Sequence, residues 1–173
     1  MARADYLLAS DDALIAQSEV DRYRASGPGG QHRNKTESAV RLRHRLTGVS
    51  AIGEDSRSQV ENKMHAVRRL RSAIAIQVRE PVTLEGFVPS ARLAAFVAKG
   101  TAPLGAKTRV TGEYWAAMAE LLDLLVAGDV EIATTAQRLG ISTGALSKLL
   151  LHDELVGRTV NDLRRAKNLR PLR

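Results

Sequence analysis

The sequence predicts an α+β fold: a small sheet packed on one long helix, followed by a purely helical module. Three observations predict it. From Val40 to Leu46 arginines alternate with Val40, Leu42, His44 and Leu46, an apolar stripe at helical spacing runs from Val60 to Ile74, and helical spacing dominates from Trp115 onward. The 173 residues suffice for one ordinary domain or two small ones with a real core. Apolar residues at 44% and charged residues at 26% argue against disorder along the whole chain.

The first twenty residues read as a short polar lead-in, and Val20–Ala25 alternates as a strand does. Ser26-Gly27-Pro28-Gly29-Gly30-Gln31 is turn-forming and cannot be regular structure. In the next strand Val40, Leu42, His44 and Leu46 should face a core, with Arg41, Arg43 and Arg45 on the outside. Thr47-Gly48 makes a turn, and Val49–Gly53 pairs back as a hairpin. Ser56 and Gln59 have the spacing of a capping box. The stripe Val60, Met64, Val67, Leu70 and Ile74 then defines a helix that ends before Pro81, with Arg57, Lys63, Arg68 and Arg71 on its other face. These elements make a first domain over residues 1–80.

Residues 81–112 hold three of the five prolines and four of the 13 glycines, as a connector would, with a short helix over Ser90–Lys99. Trp115, Met118, Leu122 and Leu125 place a helix whose end suits Gly128 at C′. Asp129 is placed to cap a helix over Val130–Leu139. Gly140-Ile141-Ser142 turns into a helix from Thr143, and a last helix lies near Thr159–Lys167. Ala136, Gly140, Leu146 and Leu149 match helix-turn-helix spacing, so residues 113–173 read as a helical module with a basic C-terminal end. Its second helix offers Thr143, Gly144, Ser147 and Lys148, too little charge for a good reader of the major groove. A small packing module is the plainer reading.

Lys and Arg total 26 against 19 acids, giving +7 and a pI near 10.2, a balance that favours polyanions. Between Arg22 and Arg71 stand 12 basic residues and four acids. With six aromatic residues in the chain, base stacking is a poor binding model and phosphate contact a better one. The absence of cysteine excludes disulfides, thiolate metal sites and a thiol nucleophile from this chain. The four histidines have no metal-ligand spacing, Gly100–Thr108 has one residue too many for a P-loop, and no Gly-x-Ser-x-Gly elbow occurs. Apolar runs break within about ten residues and the acidic start has no h-region, so a cytoplasmic protein without membrane attachment is expected.

Gly29-Gly30-Gln31 alone would carry little weight. Its context is Arg24-Ala25-Ser26-Gly27-Pro28-Gly29-Gly30-Gln31-His32-Arg33-Asn34-Lys35-Thr36, then Ser38-Ala39-Val40-Arg41, Thr47-Gly48, Arg57-Ser58-Gln59, Asn62-Lys63, Ala66 and Leu70. This ordered set resembles the catalytic domain of bacterial class I peptide chain release factors and the related ribosome-rescue peptidyl-tRNA hydrolases, over about residues 18–80. The resemblance implies ribosome-dependent hydrolysis of the peptidyl-tRNA ester. Gly29 and Gly30 would set the loop, and Gln31 would offer its backbone N–H to the oxyanion and its side chain to a water. Such a preorganised donor is chemically suited to ester hydrolysis.

The resemblance also implies N5-methylation of Gln31 by a glutamine methyltransferase. The implied partners are the ribosome, through its RNA, and peptidyl-tRNA, with no cofactor, no metal and a monomeric protein. Arg33, Asn34, Lys35, Arg41, Arg43, Arg45, Arg57, Gln59 and Lys63 are the candidate RNA contacts. Arg68, Arg69 and Arg71 carry less weight and fit simple solvation. Decoding release factors carry a stop-codon-reading domain mostly before the catalytic loop. About 25 residues precede it here, so codon-independent rescue is expected. Two departures stand out: His32-Arg33-Asn34 replaces the commoner His-Val-Asn, and a helical module stands where rescue hydrolases have a long basic tail. The alternative is an inactive ribosome- or nucleic-acid-binding regulatory factor that uses the glycine loop only to dock.

Overall fold

The computed structural model describes residues 2–24, 38–100 and 111–173, and the chain forms two units, Met1–Val78 and Arg79–Arg173. It bears out the α+β class, with a three-stranded antiparallel sheet and eight helices among the described residues.

In the first unit, α1 (Arg3–Leu8) and α2 (Asp11–Ala16) precede the strands β1 (Ser18–Tyr23), β2 (Ala39–His44) and β3 (Ser50–Gly53), and α3 (Gln59–Gln77) follows. The sheet order is β1-β2-β3, with Val20 opposite Leu42 and Leu42 opposite Ala51. Alternation decides the faces: Val40, Leu42 and His44 are buried while Arg41 and Arg43 are exposed. The α3 helix supplies the other half of this core through Ala66, Val67, Leu70, Ile74 and Ala75. It ends at Gln77 with Val78 extended, before Pro81 as the sequence predicts. A methyl group on Gly53 would lie 1.9 Å from the Asn62 carbonyl oxygen, so only glycine allows β3 to meet the helix this closely.

Several expectations need correction in this unit. The polar lead-in is two short helices, whose Tyr6, Leu7 and Leu14 are buried. Ser10 caps the second by accepting from the Ala13 N–H. Leu46 is 67% exposed, because the strand ends at His44 and Gly48, at φ 71°, turns the chain back. Val60 is 74% exposed on the first turn of α3, outside the buried stripe. That helix is capped two residues later than the Ser56–Gln59 pattern predicts: Ser58 accepts from the Glu61 N–H, and Ser56 donates to the Glu61 carboxylate. Arg71 is buried, giving 2.7 Å hydrogen bonds to Asp11 Oδ1 and the Ala9 carbonyl, and so ties α3 to the chain between α1 and α2. Arg69 donates to the Ile52 carbonyl and to Asp55.

The second unit is all helix among its described residues: α4 (Ala91–Lys99), α5 (Gly112–Ala127), α6 (Ile132–Arg138), α7 (Thr143–Leu151) and α8 (Glu154–Ala166). Ser90 caps α4, whose Phe96 meets Tyr114 of α5 edge to face at 5.6 Å between ring centroids. The α5 helix is buried almost all round, from Tyr114 to Leu125. Its Asp123 is buried against Arg79, at 3.0 Å. Ile132, Ala136, Leu146, Leu149 and Leu150 form the interior around the α6–α7 pair, and Gly140 takes φ 66° in the turn.

Here too the boundaries shift. Gly128 keeps a negative φ, and the left-handed residues are Asp129 and Val130. Asp129 does not cap α6; it pairs with Lys167, while Glu131 takes the N-cap position. The last helix starts five residues before Thr159, because Asp153 accepts from the Leu155 and Val156 N–H groups. Arg164 donates to the Val130 and Arg170 carbonyls, and Asn161 both accepts from the Leu172 N–H and donates to its carbonyl. The basic end is thereby folded back on α8. No described helix is long and apolar enough to cross a membrane.

Candidate functional site

Gly29, Gly30, Gln31, Arg33, Asn34 and Lys35 lie outside the described residues. What the structure describes is the frame from which their segment departs and to which it returns. Tyr23 ends β1 and is in register with Ala39, the first residue of β2. The two roots of the connection are thus neighbours on adjacent strands.

Each root is held by side chains. At the first, the Tyr23 hydroxyl donates to Glu54 at 3.2 Å, and the Arg41 guanidinium lies over the Tyr23 ring, 5.2 Å from its centroid. Desolvation, with the Glu54 carboxylate adding to it, raises the Tyr23 hydroxyl above its ordinary pKa. At the second root stands Asn62, fully buried on α3. Its Nδ2 donates to the Ser38 carbonyl at 2.8 Å and the Ser56 carbonyl at 2.7 Å; its Oδ1 accepts from the Ser56 N–H at 2.8 Å. One amide therefore joins the start of β2 to the segment leading into α3.

The basic candidates do not all converge. Arg41 is exposed on the outer face of the sheet, 3.6 Å from Asp21, its register partner. Arg43 is exposed opposite Glu19. Arg45 lies about 20 Å along the chain from Ala39, at roughly 3.3 Å per residue. It donates to the Ala16 carbonyl at the end of α2, at 2.9 Å. Arg57 is exposed between Ser56 and Ser58, with Gln59 and Lys63 half-buried at the start of α3. Through the Asn62 bonds to Ser38 and Ser56, these three stand at the same end of the sheet as the second root. They and Arg41 are the residues that the fold gathers near the roots; Arg43 and Arg45 belong to the far end of β2.

The structure also singles out Asn62, Tyr23, Glu54 and Gly53, none of which composition or charge indicates. Two signals point to Asn62: it falls four and eight residues before Ala66 and Leu70, on the inward stripe, and Asn62-Lys63 stands in the ordered set that carries the resemblance. No group of three or more His, Asp or Glu side chains among the described residues could hold a metal.

A sheet of this order, backed by one long helix and carrying a Gly-Gly-Gln connection between its first two strands, defines the class of the first unit: residues 14–85 match the protein-family model described as the RF-1 domain. The resemblance to class I release factors is borne out over this stretch. Among individual proteins, the chain is 49% identical over 65 residues to peptide chain release factor 1 of Ureaplasma parvum serovar 3, covering 36% of this chain and 18% of that protein. It is 48% identical over 65 residues to peptide chain release factor 1 of Leptospira biflexa serovar Patoc, covering 38% and 18%. It is 54% identical over 56 residues to that of Geobacter metallireducens, covering 32% and 16%. The chain spans about a fifth of the length of the curated relatives it matches, and the family match covers most of the first unit and the first residues of the second.

Proposed function

We propose that this protein hydrolyses the peptidyl-tRNA ester on the ribosome and releases the nascent chain without reading a stop codon. The observation that carries the reading is the RF-1 domain match over residues 14–85, which includes Gly29-Gly30-Gln31 and the roots on which that connection is mounted. In this reading Gly29 and Gly30 allow close approach of the backbone to the ester. The Gln31 backbone N–H donates to the oxyanion that forms when water attacks the carbonyl, and its side chain orients that water. Arg41, Arg57, Gln59 and Lys63 contact RNA phosphates near the roots, with Arg33, Asn34 and Lys35 on the connection itself. Gln31 is the residue a methyltransferase would modify.

The test is release of labelled peptide from purified ribosomes that hold peptidyl-tRNA on a truncated message, a stop codon or a sense codon. Release on the truncated message without a requirement for a stop codon is expected, and Gln31→Pro, which removes the N–H, should lower it by about a hundredfold or more. Strict dependence on a stop codon would refute codon independence. Tight ribosome binding with no release in any complex would refute hydrolysis and leave a docking factor.

A further inference from the structure

We propose that Asn62 is a positioning residue for peptide release, fixing the second root of the Gly29-Gly30-Gln31 connection through the Ser38 carbonyl. The inference rests on the hydrolytic reading above. Asn62 is fully buried, and its amide serves the backbone of two segments outside its own helix. An apolar side chain would leave the Ser38 and Ser56 carbonyls and the Ser56 N–H without these partners; an amide with three hydrogen bonds at 2.7–2.8 Å satisfies them and fixes where those backbones lie. Ser38 is itself buried and stands one residue before the first register pair of β2, so the sheet alone does not set its position. The helix that carries Asn62 is anchored twice. Ser58 caps it, and Gly53 lets β3 close directly onto the Asn62 backbone. Ser38 is thereby tied to the longest helix of the unit. Attack on an ester depends steeply on placement, and a support on a rigid helix sets placement better than a loop does.

The experiment uses the full chain with Asn62→Ala, Asn62→Ser and Asn62→Asp. Single-turnover release from ribosomes on a truncated message gives the rate at saturating factor and the half-saturating concentration, and thermal melting gives the folded fraction. Ser72→Ala serves as a control for destabilisation alone, because it loses a hydrogen bond to the Arg69 carbonyl elsewhere on the same helix. The expected result is a saturating rate lowered roughly tenfold to a hundredfold in Asn62→Ala, with the half-saturating concentration unchanged. Asn62→Ser, which keeps one donor, should fall less, and Ser72→Ala should keep the full rate. Unchanged saturating rates in folded variants, or losses that only follow the folded fraction, would overturn the assignment. Failure of all three to fold would overturn it too, making Asn62 a folding residue. A wild-type chain that is inactive, with Gln31→Pro no different, would instead refute the hydrolytic reading and this inference with it.

Discussion

At the scale of single residues, side chains that look alike in sequence divide by what they touch. His44 was placed on the inward face of β2, and it is fully buried there. Its Nδ1 lies 2.9 Å from the Thr47 hydroxyl, its Nε2 3.3 Å from the Gln17 side-chain oxygen, and its ring meets Tyr6 edge to face. Burial lowers its pKa below the ordinary 6.5, because the charged form is poorly solvated there. The unfolded chain therefore binds a proton that the folded chain resists. The contribution is complete above the unfolded pKa and is lost as pH falls from 6.5 through the depressed folded value. Melting between about pH 8 and pH 5 should show this loss, and His44→Gln should flatten it. Asp55, lowered chiefly by its bond from Arg69, contributes above its ordinary 3.8 and loses that contribution only as pH falls below it, so the two losses separate on the pH axis.

At the scale of elements, the first unit is assembled by buried arginines as well as by its apolar core. Arg71 binds Asp11 and the Ala9 carbonyl, and Arg3 donates to the Val78 carbonyl at 2.7 Å. These bonds join the two N-terminal helices to α3, which leaves the roots of the connection on a braced sheet. Arg71→Ala strands a partly buried carboxylate and a carbonyl, and should cost about 3 kcal/mol. Arg68→Ala, one turn away and exposed, should change stability by less than about 0.5 kcal/mol. Denaturant unfolding would measure both, and hydrogen exchange should show α1 and α2 loosening first in the Arg71 variant.

At the scale of the whole molecule, the +7 charge sets the expectation of binding to a polyanion. The structure narrows which charges can serve it. Arg45, Arg71 and Arg164 are committed to backbone carbonyls. Arg57 and Lys63 stand beside the second root. Arg57→Ala and Lys63→Ala should each raise the half-saturating concentration for the ribosome and leave the saturating rate unchanged. Each should also make the slope of log affinity against log salt shallower by about 0.7 to 0.9. A change in saturating rate with no change in salt slope would remove them from the RNA-contact set.

Much of the fold is legible in the amino-acid sequence itself. Period two over Val40–His44, period 3.6 over Met64–Ile74 and the turn at Gly48 are local patterns, and local sterics and burial enforce them directly. The ordered set of residues around Gly29-Gly30-Gln31 was likewise sufficient to find the domain class. The sequence could not show that the polar lead-in folds as two helices, because a six-residue helix is not stable by itself and forms against a surface supplied by α3. Nor could it separate Arg71 from Arg68 or Arg45 from Arg41: each is an arginine on a patterned element until a carboxylate or carbonyl distant in sequence arrives beside it. Asn62 makes the same point. Its role is set by the Ser38 carbonyl, 24 residues away, and only the packing of helix on sheet brings the two together. Local periodicity was written in the chain, whereas the partners of its polar groups were decided by tertiary structure, because a buried donor is satisfied by whichever acceptor the fold delivers.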